Sequence, residues 1–267
     1  MAKPGIAVQL FSLRDDMAKD FVGTLRAVTE IGYTAVELVS YYGAYGLSAS
    51  QLKATFADLG LTPIGIHVAP AALQDRFEET LDFYLAAGVP EMIVPGLPRE
   101  FYADADGFRR GGNLLARLAE RCQDRGVGLS YHNHHHDFDR FGEQFGLDYL
   151  LAASPAVGLE ADVYWISYAG YDPATIIRRY ANRCRFVHLK DKPAVIDVTI
   201  EDVMNGKADG SRLFAEVGEG VVDWPAVFAA VEATPAKWYV VEQDASTRPM
   251  LESIAISLRH LKEWGKA

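Results

Sequence analysis

Four of the chain's seven histidines fall within five positions, in Tyr131-His132-Asn133-His134-His135-His136-Asp137. Imidazole is the commonest biological metal ligand and titrates near neutrality, so this cluster suits metal binding or proton transfer. It directly follows Val127-Gly128-Leu129-Ser130, which reads as a buried strand, so it is no terminal tag. Side chains alternate faces along a strand, which puts His132 and His134 on one side and Tyr131 and Asn133 on the other. A metal site and a solvated, histidine-rich strand end both fit the cluster alone.

Further ionisable residues recur at the ends of other apolar runs. Glu37 closes one, His67 the next, and then come the pairs Glu160/Asp162, His188/Lys190 and Glu242/Asp244. Each pair is spaced i, i+2, so both members face one side of a strand. Singly, a strand-end carboxylate is commonly a helix cap or a surface charge. Gathered together they are costly to bury without a compensating cation. Asp, His and Glu donors without cysteine suit an open site for a divalent metal ion: Mn, Co, Zn, Fe or Mg.

The elements that must position these residues alternate along the whole chain. Strands are expected at Ile6–Leu10, Ala35–Leu38, Pro63–His67, Met92–Val94, Val127–Asn133, Val157–Asp162, Phe186–Lys190 and Trp238–Glu242. Amphipathic stretches lie between them: Phe21–Ile31, Ser50–Leu59, Arg76–Ala87, Leu114–Arg125, Pro173–Tyr180 and Trp224–Ala233. Gly32, Gly60, Gly88 and Gly126 follow four of these stretches and suit helix C-caps. Eight such units in about 250 residues match a single-domain (β/α)8 TIM barrel, with catalytic groups at the C-terminal strand ends. A doubly wound sheet is the alternative, but no glycine-rich nucleotide fingerprint follows the first strand. Ala194–Glu219, with several glycines, reads as a long loop after strand 7.

Bulk properties narrow the partners. The 267 residues are 49% hydrophobic and carry a formal charge of -10, with 26 basic against 36 acidic residues. That balance disfavours nucleic acid and anionic membranes. Cys122 and Cys184 have no CxxC spacing, so neither a disulfide framework nor a thiolate zinc site is expected, and a cytoplasmic location is. Neither a secretory signal nor an apolar run of about 20 residues is found.

The motifs Val8-Gln9-Leu10-Phe11-Ser12-Leu13-Arg14, Tyr131-His132-Asn133-His134, Leu159-Glu160-Ala161-Asp162-Val163-Tyr164-Trp165, His188-Leu189-Lys190-Asp191, Gly218-Glu219-Gly220-Val221-Val222-Asp223-Trp224 and Val241-Glu242-Gln243-Asp244 stand in this order. Together they resemble the sugar phosphate isomerase/epimerase family of xylose isomerase-like TIM barrels, over essentially the whole of residues 1–267. The resemblance implies a metal quartet from strands 5 to 8. Asp162, His188 and Glu242 match it, whereas the strand 5 glutamate position falls on His132. In this the chain is similar to the inosose-dehydratase branch. Glu160 is an alternative fourth ligand.

The implied chemistry is proton abstraction beside a carbonyl of a small carbohydrate, with Glu242 as base and His134 or His132 as the opposing acid/base. His67, Glu160, Trp165 and Lys190 are expected at the substrate. Lys190 has an ion pair with Asp191 or Glu160 as its alternative role. Trp165 and Phe11 offer apolar faces to a sugar ring. A metal-dependent isomerase or epimerase is the first expectation, and a dehydratase or lyase on a keto-inositol or 3-keto-glycoside the second. A non-catalytic sugar-binding barrel is the third. A nuclease is disfavoured because strand 4 supplies no histidine and the chain is acidic. A homo-oligomer is compatible with the resemblance, though no stretch demands one.

Overall fold

A computed structural model describes residues 3–40, 44–68, 72 and 75–267. Eight parallel strands close into a barrel, here numbered in chain order. They are β1 (Gly5–Gln9), β2 (Ala35–Val39), β3 (Thr62–His67), β4 (Glu91–Val94), β5 (Gly128–His132), β6 (Val157–Asp162), β7 (Cys184–Leu189) and β8 (Trp238–Val241). Each strand pairs with its chain neighbour, and β8 closes on β1 with Gly5 opposite Trp238. The (β/α)8 expectation is therefore met. The four glycines after Phe21–Ile31, Ser50–Leu59, Arg76–Ala87 and Leu114–Arg125 all have positive φ, the conformation that ends a helix and turns the chain back to the sheet.

Two apolar layers hold the barrel. The larger lies between strands and helices and includes Val36, Ile66, Met92, Leu129 and Leu159. The smaller consists of Ala7, Ala35, Ile64, Phe186 and Val240, from β1, β2, β3, β7 and β8. These five residues are the inward-facing alternates of their strands, and they plug the barrel's waist. Two residues beyond Ala7, Ala35, Phe186 and Val240, toward the C-terminal ends, stand Gln9, Glu37, His188 and Glu242, and Glu160 of β6 joins this layer 3.1 Å from His188. A polar floor thus lies directly on the apolar plug of the waist.

Two elements differ from the sequence expectation. The helix expected at Leu114–Arg125 begins at Ala105, with Asp104 capping it through the Gly107 N–H at 2.7 Å. Gly111 and Gly112 interrupt the amphipathic pattern because neighbours approach there. A Cβ on Gly112 would lie 2.4 Å from the Leu150 carbonyl oxygen. The region Ala194–Glu219 is mostly irregular, as expected, but contains a short helix at Ile200–Met204.

Candidate metal and active site

The C-terminal ends of β5 to β8 bring His132, Asp162, His188 and Glu242 together, each 5% exposed or less. Asp162 serves two elements at once. Its Oδ1 accepts the Trp165 N–H at 2.8 Å, capping the helix Val163–Tyr168 that starts immediately after β6. That leaves Oδ2 without a hydrogen bond, 3.8 Å from His132 Nε2 and 3.9 Å from His188 Nδ1. His188 Nδ1 is in turn 3.1 Å from Glu242 Oε2. One donor atom from each of the four residues lies within 4.8 Å of the other three. Atoms about 2.1 Å from a shared cation stand about 3–4 Å apart. The separations of 3.8, 3.9 and 3.1 Å lie in that range, so the group could hold a divalent metal ion.

A second polar layer grips the other nitrogen of each imidazole. Glu160 Oε2 meets His132 Nδ1 at 3.0 Å, His188 Nε2 at 3.1 Å and His67 Nε2 at 2.7 Å. Glu37 Oε2 meets His188 Nε2 at 2.9 Å and His67 Nε2 at 3.1 Å, and accepts from Gln9 Nε2 at 2.5 Å. A carboxylate behind each of these imidazoles orients the ring and leaves His132 Nε2 and His188 Nδ1 facing Asp162 Oδ2. His67, His132, Glu160 and His188 also form a group of metal-binding geometry. In it, however, Glu160 Oε2 is already shared by three imidazoles.

Burial disfavours charge throughout, and neighbours decide which groups keep it. Burial opposes a proton on His67, but Glu37 and Glu160 override it and push its pKa up to about 10. The same contest leaves Glu37 well below the usual carboxylate range, because His67 and His188 outweigh its burial. Burial raises Glu160, with the Glu37 charge adding to it. For His132, burial and the neighbouring His188 both favour the neutral ring, the form that coordinates a metal. Burial pushes Asp162 up to about 6, against the pull of Lys190 and His188.

Lys190 follows His188 by two residues and is 1% exposed. Its Nζ lies 2.7 Å from Glu242 Oε2, 2.8 Å from Asp244 Oδ2 and 3.6 Å from Asp162 Oδ2. Burial works against this charge, but Asp244, Glu242 and Asp162 more than compensate and raise its pKa. The ion pair weighed from the sequence, with Asp191 or Glu160, is not what forms. Asp191 instead accepts backbone N–H groups from Gly218, Gly220 and Val222 and the Trp224 indole N–H at 2.8 Å. It thereby anchors the far end of the loop that follows β7. A Cβ on Gly220 would lie 2.2 Å from Asp191 Oδ1, which explains the glycine there.

The histidine cluster divides. His132 joins the quartet; His134 packs at 5.1 Å from the Trp165 ring, with its Nδ1 unpartnered. Burial and then the His136 and Lys190 charges hold His134 neutral. His135 and His136 lie in the turn beyond the strand, outside both metal-binding groups among the described residues. Asp137 shapes that turn, accepting the His134 N–H at 2.7 Å and the Tyr131 hydroxyl at 2.9 Å.

A cavity of about 590 Å³ opens over this site, and His67, His132, His134, Trp165, Lys190 and Glu242 line it. Glu160, expected at the substrate, is fully buried below these residues and does not line it. Asp162 and His188 are likewise absent from its lining, so of the quartet His132 and Glu242 face the cavity. Asp244, in sequence only a strand-end charge, joins the site through Lys190 at 2.8 Å. A groove of about 640 Å³ lies along the helix Ala105–Gln123, but no carboxylate or histidine lines it.

The comparisons with known proteins agree with this architecture. The chain is 31% identical over 133 residues to an inosose dehydratase of Geobacillus kaustophilus, covering 49% of this chain and 43% of that protein. It thus spans less than half of that relative's length. It is 27% identical over 255 residues to the rhizopine catabolism protein MocC of Rhizobium meliloti, covering 82% of this chain and 73% of the relative. Among solved structures, a sugar phosphate isomerase/epimerase from Parabacteroides distasonis superposes with a TM-score of 0.79 at 22% identity, covering 98% of both chains. An IolI protein with a bound zinc atom gives 0.70 at 14% identity over 97% of both. At these identities the structures speak for the fold. A family model described as xylose isomerase-like TIM barrel matches residues 25–264, taking in the strand ends that build the site. The chain therefore belongs to the xylose isomerase-like TIM barrel family.

Proposed function

We propose that this protein is a metal-dependent lyase acting on a keto-polyol, removing a proton beside the carbonyl and expelling an oxygen substituent from the next carbon. Metal ligation is assigned to His132, Asp162, His188 and Glu242. A divalent ion there supplies Lewis acidity that draws charge off a carbonyl oxygen. Its preference among Mn, Co, Zn, Fe and Mg stays with the donor set of two imidazoles and two carboxylates, which all five accept. The zinc in the IolI structure is in keeping with this assignment.

The observation that carries elimination is the 2.7 Å contact between Glu242 Oε2 and Lys190 Nζ at the edge of the cavity. It places a base and an acid side by side. Glu242 takes the proton from carbon, and the electrons of that C–H bond pass into the enediolate. Proton arrival cancels one of the negative charges holding the Lys190 proton. Lys190 then gives its proton to the departing oxygen as the C–O bond breaks, and Glu242 returns the captured proton to Lys190. Products are an unsaturated ketone and water or an alcohol, with no net proton change.

Isomerisation remains the second reading because His134 has an unpartnered Nδ1 at the same cavity, which can take the proton of the intermediate's hydroxyl and pass it to the neighbouring carbon as the new carbonyl forms. His132 is less suited to that task, being tied to Glu160 at one nitrogen and facing Asp162 with the other. The inosose dehydratase names among the relatives also favour elimination. Two free, buried cysteines, Cys122 and Cys184, suit the reducing cytoplasm.

The test is NMR in D2O with Mn or Co and a panel of keto-inositols, 3-keto-glycosides and ketoses. Loss of the β-oxygen substituent is expected. Exchange with rearrangement but no elimination gives the isomerase reading, and no exchange with any substrate removes the enzyme reading.

A further inference from the structure

The cavity lining combines polar groups, the imidazoles, Lys190 and Glu242, with an apolar wall of Phe11, Trp165, Ile200, Val203, Met204 and Phe214. Lys190 Nζ lies 5.5 Å from the Trp165 and Phe214 rings where the two meet. Three of these come from the short helix Ile200–Met204, where Met204 is 82% exposed. Exposed apolar side chains on a loop are unfavourable unless something covers them, and clustered beside a polar site they mark a ligand surface. The wall is held in place. Asp191 fastens the chain at Gly218, Gly220 and Val222, and the Ile200 N–H donates to the Tyr168 hydroxyl at 3.4 Å. Trp165 is 6% exposed and lines the cavity, and its indole N–H has no hydrogen-bond partner.

A phosphate is poorly served here. Histidines aside, Arg14 and Lys190 are the cationic side chains lining the cavity among the described residues. Lys190 is held by three carboxylates, and Arg14 donates to the Phe11 and Asp244 carbonyls while stacking 4.5 Å over the Phe11 ring. Glu242 and Asp244 also line the cavity and repel an anion.

We infer that the substrate is an unphosphorylated keto-sugar carrying an apolar, aromatic-sized aglycone as the departing oxygen substituent. The sugar ring lies on the polar floor, and the aglycone packs on the wall formed by Phe11, Trp165, Phe214 and the Ile200–Met204 helix. This deepens the lyase reading and rests on it for the chemistry, but the wall's preference is a binding property that can be measured without turnover. Met204 supplies an adaptable surface and the aromatic rings a flat one.

The experiment measures calorimetric affinities of the metal-loaded protein for phenyl glucoside, methyl glucoside and glucose 6-phosphate, in both anomers where they exist. Phenyl glucoside is expected to bind roughly tenfold to a hundredfold tighter than methyl glucoside, and the phosphate no tighter than the methyl form. Phe214→Ala and Met204→Ser should each shrink the phenyl preference severalfold. The exposed Met204 position keeps the test valid should Phe214→Ala misfold. Val195→Ser, 77% exposed and away from the cavity, should leave that preference intact. Equal or undetectable affinity for both glucosides, or tighter binding of the phosphate, overturns the inference. In a parallel arm the 3-keto forms are followed by NMR. Absence of exchange there overturns the lyase reading, while the affinity ratios still decide the aglycone wall.

Discussion

The two ends of this barrel both carry charge inside the sheet, and they handle it in opposite ways. At the N-terminal end, Glu91 meets Arg185 at 2.8 Å and accepts the Ser130 hydroxyl at 2.6 Å, while Arg185 also donates to the Ala156 carbonyl at 2.8 Å. One carboxylate faces one guanidinium, and no buried side-chain atom of the three lacks a partner. Gly128 and Gly158 make the room: a Cβ on Gly128 would lie 1.8 Å from Glu91 Oε2. At the C-terminal end, Glu37, Glu160, Asp162, Glu242 and Asp244 crowd around Lys190 and the imidazoles. There Glu37 Oε1, Glu160 Oε1, Asp162 Oδ2, His134 Nδ1 and Trp165 Nε1 have no hydrogen bond. A fold seals charge in matched pairs where it needs only stability. The excess of acceptors at the other end is what a bound cation and substrate would satisfy.

This contrast can be broken by substitution. The largest expected effect is at Glu242: Glu242→Gln should lower turnover by about a thousandfold in a steady-state assay, with the fold intact by circular dichroism. Full turnover would remove the base assignment. Next comes the carboxylate behind the imidazoles. Glu160→Gln should weaken metal affinity by about 10–100-fold in a titration, and Glu91→Gln should leave it unchanged. Equal losses from both would mean that the two ends do not differ in role.

The third effect inverts the pattern. Arg185→Met leaves Glu91 with the Ser130 hydroxyl but no cation and should cost about 2 kcal/mol in urea unfolding, discounted for the partial exposure of the pair, while kcat stays unchanged. The smallest is Asp162→Asn. Asparagine still caps the helix Val163–Tyr168, and the change removes a buried charge that burial penalises. The metal-free protein should therefore be unaltered or more stable by about 1 kcal/mol. A loss comparable to that of Arg185→Met would show the upper carboxylates to be structural.

The barrel was readable from the sequence because its signals are local. Apolar runs, C-cap glycines and i, i+2 polar pairs each lie within a few residues of the element they define. The helix from Ala105 was obscured because Gly111 and Gly112 answer a tertiary approach by Leu97 and Leu150. The residues of the candidate quartet were also readable, since strand ends converge in this fold. The division of labour was not. Which nitrogen of His132 meets Glu160 and which faces Asp162 depends on ring orientation across strands. Asp191 offered no local signal, because its partners lie at Gly218, Gly220, Val222 and Trp224. Lys190 was placed at the site, but its partners follow from the closure of β7 against β8.

The central claim is that Glu242 and Lys190 act as base and acid for one elimination. Lys190→Met separates the two steps, and NMR in D2O can follow solvent exchange of the α-proton and loss of the β-substituent together. Exchange is expected to be retained within about tenfold and elimination to fall by about a hundredfold or more. Parallel loss of both, or undiminished elimination, would contradict it.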